Sequence, residues 1–88
     1  MANIASAVKR HKQNLKRRAR NRMAKSAIHT AKRKFYEAVA SNDSENASTR
    51  LKRVTKLIDT AGSKGILHKN TIARKKSRLQ RAFNKMSA

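Results

Sequence analysis

The sequence has no cysteine, no proline and only two glycines among its 88 residues. Without cysteine there can be no disulfide and no thiolate metal site, and a reducing compartment is compatible with this. Two glycines are too few for the glycine-rich loops that cradle phosphates. The three histidines, His11, His29 and His68, lie far apart, and no carboxylate stands near any of them at ligand spacing. We therefore expect no metal site and no cofactor.

Acidic residues are almost as scarce. There are four, and they all lie between positions 37 and 59: Glu37, Asp43, Glu45 and Asp59. Helix caps and i,i+4 ion pairs account for them, and no two are placed as a general acid and base. No serine, histidine and acid are arranged for nucleophilic catalysis. We therefore expect no enzymatic activity and no small-molecule substrate.

Long apolar runs are also missing. No stretch approaches the ~20 residues of a membrane-spanning helix, and the first residues lack the apolar region of a secretory signal. We expect an intracellular protein without a membrane partner. A chain of 88 residues has room for one small domain at most. We place that domain over residues 1–88.

What the chain has in excess is positive charge, with 24 Lys and Arg against 4 Asp and Glu and a net charge of +20. Twelve of these cations lie between Val8 and Lys34, and eight lie in residues 60–88; neither segment holds an acid. On a helix, each like-charge i,i+4 pair costs roughly a few tenths of a kcal/mol. Self-repulsion on this scale opposes a compact free state, so the composition predicts a polyanionic partner that stabilises the fold.

The residue pattern predicts an all-α fold, a three-helix antiparallel bundle with a long projecting N-terminal helix. Helix one is predicted over about residues 4–40, because good helix formers continue there without a breaker. At ~1.5 Å per residue it would be roughly 55 Å long. Helix two is predicted over about 44–61 and helix three over about 70–86, each with an amphipathic period.

Capping residues and apolar stripes refine this prediction. Asn42 stands three positions before Glu45, in capping-box register, and Gly62 is a natural residue to end helix two. Basic side chains between Lys9 and Lys25 point in almost every direction, which favours a rod inserted among several nucleic-acid strands. The predicted core stripes are Ala27, Ala31, Phe35 and Ala38 on helix one, with Ile28 and Val39 at the edge, Ala47, Leu51, Val54, Leu57, Ile58 and Ala61 on helix two, and Ile72, Leu79, Ala82, Phe83 and Met86 on helix three.

Two nucleic acids could supply the negative charge. Only Phe35, Tyr36 and Phe83 are aromatic, and all lie near core stripes, so base stacking is not expected to be the main mode. Recognition by backbone and shape suits folded A-form RNA. The segment RRARNRMAKS looks superficially like a leucine-zipper basic region, but its residue spacing and the missing leucine seam do not fit. A nucleoid-type DNA-binding protein remains the alternative.

Three segments carry a family resemblance. The opening MANI with SA and KR shortly after it, the segment GILHKN at 65–70 and the segment ARKKSRL at 73–79 resemble the bacterial small-subunit ribosomal protein S-twenty family. The match covers essentially the whole chain in length, order and charge layout, and the GxxHKN pattern is its most specific part. Ile72 stands where the family usually has a small residue, and the middle helix matches weakly.

The resemblance implies a three-helix bundle with an extended first helix that binds 16S ribosomal RNA directly. It implies a structural role in assembly of the small (30S) subunit, a location in the cytoplasmic ribosome, and other small-subunit proteins as neighbours. We expect no homo-oligomer.

Under this resemblance, two basic segments are expected to contact RNA. For His68 and Asn70 a purely structural role, as a loop histidine and an N-cap, competes with RNA contact. The expected RNA-binding residues are Lys9, Arg10, Lys12, Lys16, Arg17, Arg18, Arg20, Arg22, Lys25, Lys32, His68, Lys69, Asn70, Arg74, Lys75, Lys76 and Arg78.

Overall fold

The computed structural model describes residues 2–87, and the side chains of residues 4–86. This part of the chain folds into three α-helices, α1 (Ala2–Ala40), α2 (Ser44–Ser63) and α3 (Lys69–Ser87), and contains no strand. The predicted all-α fold with a long first helix is confirmed. The helix limits differ from the predicted ones by at most two residues, within the usual uncertainty of helix ends.

Helix α1 extends well beyond the bundle. It has 39 residues, and the protein measures 65 × 21 × 13 Å along its principal axes. The radius of gyration is 17.6 Å, whereas a compact chain of this length would have about 12 Å. Every described side chain from Ile4 to Arg20 is exposed, and the first buried residue of α1 is Ile28. The front of α1, residues 4–25, therefore contains no buried side chain and projects from the bundle as a rod.

The core lies between the back of α1 and the other two helices. Helix α2 packs against both neighbours, whereas α1 and α3 share only a small contact. Because α2 is covered on two flanks, its stripe is the best buried. The buried residues are Ile28, Ala31, Phe35 and Ala38 on α1, Ala47, Val54, Ile58 and Ala61 on α2, and Leu79 on α3.

The predicted core stripes need small corrections. Ala27 is exposed, and Ile28, predicted at the edge of the α1 stripe, is buried, whereas Ala31, Phe35 and Ala38 are buried as predicted. Leu51 and Leu57 of α2 are only half-buried. They lie on the edges of the α2 stripe, where an outer helix covers one side alone.

The turn between α1 and α2 is built on a left-handed residue, Asn42, with φ 57°. The Asn42 N–H donates to the Val39 carbonyl at 3.0 Å and the Asp43 N–H donates to the Ala38 carbonyl at 3.1 Å. This pattern is a Schellman C-cap of α1. Asp43 is the N-cap of α2, because its Oδ1 accepts from the Asn46 N–H at 3.2 Å. The predicted capping role of Asn42 is therefore wrong.

Helix α2 ends in the same way, at Ser63, two residues later than predicted. Gly65 has φ +74°, and its N–H donates to the Gly62 carbonyl at 3.0 Å. The Ile66 N–H donates to the Ala61 carbonyl at 2.9 Å. Gly65 is thus the residue that ends α2, because its missing side chain permits this φ. Gly62, predicted to have this role, lies within the last turn of the helix.

Candidate nucleic-acid interface

The front of α1 carries a dense set of exposed cations. Nine Lys or Arg side chains lie between positions 9 and 25, and all nine are exposed. Successive residues on a helix are turned by ~100°, so these side chains surround the rod. The first acid of α1 is Glu37, too far along the helix for an i,i+4 pair with any of them. They are Lys9, Arg10, Lys12, Lys16, Arg17, Arg18, Arg20, Arg22 and Lys25.

One shallow surface along α1 brings four predicted contacts together, namely Arg17, Arg18, Arg22 and Lys25. Asn21 lies on the same surface, and its Oδ1 is shielded from solvent without a hydrogen-bond partner among the described residues. Guanidinium groups offer planar pairs of donors that match phosphate oxygens. This surface can therefore hold the backbone of a nucleic acid through several charge-assisted hydrogen bonds.

The back of α1 differs in burial and in pairing. Lys32 is half-buried against the bundle, unlike the nine cations of the front. Arg33 lies 3.9 Å from Glu37, and both side chains are about two-thirds exposed (66% and 68%). Such an exposed pair contributes roughly 0–1 kcal/mol and is screened by salt. The charge of this segment is thus partly compensated within the protein.

His68 caps the start of α3. Its Nδ1 accepts a hydrogen bond from the Asn70 N–H at 3.1 Å, and its carbonyl accepts from the Ile72 N–H at 3.0 Å. Because Nδ1 is the acceptor, the neutral ring carries its hydrogen on Nε2, which can donate outward. Lys69 and Asn70 are exposed in the first turn, where the positive helix end favours anions. Asn70 is thus not the N-cap.

Helix α3 divides its cations between two environments. Arg74 and Arg78 are exposed on its outer face, together with two cations outside the predicted set, Arg81 and Lys85. Lys75 and Lys76 are half-buried on the inner side. The Lys76 ammonium donates to Asp59 Oδ1 at 3.1 Å, with 42% and 52% of the two side chains exposed. Lys76 therefore already has a carboxylate partner, whereas the outer face is unpaired.

Sequence reasoning missed the cations of α2. Arg50 and Arg53 line a groove between α1 and α2 that also contains Arg22 and Lys34. Residues 35–59 hold equal numbers of acids and bases, so their net charge gives no sign of a cationic surface. The i,i+3 spacing of Arg50 and Arg53 places both on one flank of α2 and was the available signal. Which helix that flank faces depends on the docking of α1.

The described residues contain neither a metal-binding cluster nor a membrane-spanning helix. In the part of the chain from 2 to 87, no three His, Asp or Glu side chains lie close enough to hold a metal ion. None of the three helices has an apolar stretch of the length that a membrane crossing requires. The two ion pairs of these residues, Arg33 with Glu37 and Lys76 with Asp59, are exposed surface contacts. Fold and surface together define a helical protein with a strongly cationic surface, which favours a polyanionic partner.

Comparison with known proteins shows which family this chain resembles. The sequence profile of the family described as Ribosomal protein S20 matches residues 2–84. A Mycolicibacterium gilvum relative is 50% identical over 86 residues, which cover 98% of this chain and all of the relative. A Clostridium botulinum relative is 52% identical over 87 residues, 99% of this chain and all of the relative. A Treponema denticola relative is 51% identical over 79 residues, 90% of this chain and 89% of the relative.

All three relatives are named small ribosomal subunit protein bS20. The chain belongs to the ribosomal protein S20 family. The family resemblance predicted from the sequence is confirmed, and with it a structural constituent of the ribosome that is not an enzyme. The DNA-binding alternative has no support from these comparisons.

Proposed function

We propose that this protein binds 16S ribosomal RNA directly and stabilises its fold during assembly of the small subunit. The observation that carries the proposal is the front of α1. It is a rod that projects from the bundle, holds nine exposed cations and lacks any acid. Without a partner, these charges repel one another on a stretch of helix that contains no buried side chain. Phosphates bound on several sides of the rod would attract these cations and offset the repulsion between them.

The start and outer face of α3 form a second contact in this proposal. His68, Lys69 and Asn70 surround the positive end of the helix, and Arg74 and Arg78 continue along the exposed face. Helix α3 touches α1 only slightly, so the two basic surfaces are separate and can contact different parts of the RNA. The proposed contact set is unchanged from the sequence prediction, including the half-buried Lys32, Lys75 and Lys76. The chain acts as one RNA-binding domain over residues 1–88.

Recognition is by backbone and shape in this proposal. Phe35 is buried, Phe83 is half-buried, and Tyr36 is 38% exposed. The Tyr36 ring packs edge-on against Phe35, with ring centres 5.3 Å apart and planes at 63°. None of these three rings offers a platform on which successive bases could stack. Folded RNA, whose A-form helices are recognised by phosphates and 2′-hydroxyls, suits such a surface.

A competition experiment tests the proposal. Labelled 16S RNA is bound to the protein at physiological salt and challenged with unlabelled 16S RNA, unrelated folded RNA and duplex DNA. We expect 16S RNA to compete best, and affinity to fall steeply with salt because each phosphate contact contributes ~0.7–0.9 to the log–log slope. Equal competition by all three would contradict the proposal, and preference for duplex DNA would support the nucleoid alternative.

A further inference from the structure

An open groove of about 630 Å³ lies between helices α1 and α2 on the side of the bundle. Four cations line it, Arg22 and Lys34 from α1 and Arg50 and Arg53 from α2. Arg22 also lies on the surface formed by Arg17, Arg18 and Lys25. The groove is therefore continuous with the projecting rod.

The charge of the groove is not compensated within the protein. No carboxylate lines it. Lys34 and Arg50 also border a shallow depression that holds Glu37 and Asp43. Among the described residues, however, neither cation lies within 4.0 Å of an acid, since the ion pairs are Arg33 with Glu37 and Lys76 with Asp59. Two helices thus turn four unpaired cations toward one concave surface, which favours an anionic ligand.

Apolar side chains also line the groove. They are half-buried Leu57, buried Ala31, exposed Ala27 and Met23, which is 73% exposed, and the hydroxyl residues Ser26 and Thr30 complete the lining. A small anion would contact the cations and leave these apolar side chains in water. An RNA strand offers both complements, because its phosphates suit the cations and its riboses can cover apolar side chains.

We propose that this groove binds a strand of RNA backbone, so that the bundle holds RNA as well as the projecting front of α1. The inference rests on the proposed function and extends it to Lys34, Arg50 and Arg53. In this arrangement the RNA strand passes from the rod across Arg22 and on to α2. Helix α2 is then both the centre of the core and part of the RNA-binding surface.

The chain offers a matched control on the same helix. Lys52 and Lys56 are exposed on the side of α2 that faces α3, in a depression that contains Asp59. R50Q/R53Q and K52Q/K56Q each remove two positive charges from α2, so long-range electrostatics changes equally. Affinity for 16S RNA is measured over a range of salt concentrations for both variants of the full chain. Circular dichroism checks that both remain folded.

We expect R50Q/R53Q to lower the log–log salt slope by about 1.4–1.8, the share of two phosphate contacts at ~0.7–0.9 each. K52Q/K56Q should lower it by much less, and R50K/R53K should restore most of the slope. Equal slopes for the two glutamine variants would overturn the groove assignment while 16S specificity stays intact. Loss of 16S specificity in the unmodified chain would instead reject the proposed function.

A second measurement does not depend on the stability of the variants. Brief acetylation of the preformed complex of the unmodified chain with 16S RNA is read by mass spectrometry. Lys34 should be protected relative to the free protein, whereas Lys52 should react as before. Unchanged reactivity of Lys34, or equal protection of Lys52, would overturn the inference.

Discussion

Gly62 and Ile72 meet where α3 turns back along α2. A Cβ on Gly62 would overlap the Cδ1 of Ile72 and press against its Cγ1. Glycine at position 62 therefore serves the close approach of α3 to α2, and not the formation of a turn. Ile72 is half-buried and packs against the core.

This contact decides how Gly62→Ala changes stability. Alanine favours a helix interior over glycine by ~1 kcal/mol, but overpacking against Ile72 costs roughly 1–3 kcal/mol. Because the overlapping Cδ1 is the end of a flexible side chain, we expect the lower part of that cost and a fall of at most about 1 kcal/mol in the free energy of unfolding, measured by urea denaturation. Ile72→Val removes the overlapping Cδ1 and is the matched partner. Alone, Ile72→Val should lower the free energy of unfolding by ~0.5–1.5 kcal/mol. Added to Gly62→Ala, it should lower it little or not at all. Additive costs would show that the two residues do not interact.

The two turns show where sequence reasoning stops. Three amphipathic stripes and two short connections were enough to predict the three helices, because the period of apolar residues is a strong signal. The caps were misassigned, since Asn42 and Asp43, or Gly62 and Gly65, are equally suitable residue types. Only the positive φ of Asn42 and Gly65 shows which member ends its helix.

The assignment of Asn42 has a direct test. A left-handed conformation costs ~1–2 kcal/mol for most residues and little for glycine. Asn42→Ala should therefore lower the unfolding free energy by about 1 kcal/mol, whereas Asn42→Gly should be neutral within about 0.5 kcal/mol. Equal losses for the two variants in thermal denaturation would mean that backbone conformation is not the reason for asparagine here.

His68 allows a separation of structural and RNA-binding roles. Its ring caps α3 through the Asn70 N–H, so His68→Ala should cost ~0.5–2 kcal/mol, the usual range for a lost N-cap. His68→Asn keeps a capping acceptor but removes the outward Nε2–H donor. If the ring only caps the helix, His68→Asn should match the unmodified protein in stability and in RNA affinity. Retained stability with weaker 16S RNA binding would show direct contact.

The candidate interface could be predicted only in part. The acid-free runs predicted the front of α1 and the outer face of α3, because the charge along a single helix can be derived from the sequence without knowing how the helices pack. The groove could not be found in this way. Arg50 and Arg53 lie in a segment of zero net charge, and they become part of a cationic surface only when α1 brings Arg22 and Lys34 beside them.

Stability and RNA binding should separate cleanly between core and rod. Arg17, Arg18 and Arg20 are exposed and contact no core residue, so replacing all three with alanine should leave the melting temperature nearly unchanged. The same variant should lower the salt slope of 16S RNA binding by up to about 2–2.7, the share of three phosphate contacts. Replacing the three with lysine keeps the charge and should retain most of the slope.

Ile58→Ala should do the reverse. Ile58 is 1% exposed at the centre of the bundle, so the cavity should cost ~2–5 kcal/mol, while the folded fraction still binds RNA. Leu57, on the same predicted stripe, is half-buried at the groove, and Leu57→Ala should cost less because solvent and neighbouring side chains can fill the space. Normal RNA binding by the triple alanine variant would show that the front of α1 does not hold the RNA. An unchanged unfolding free energy for Ile58→Ala would place the core elsewhere.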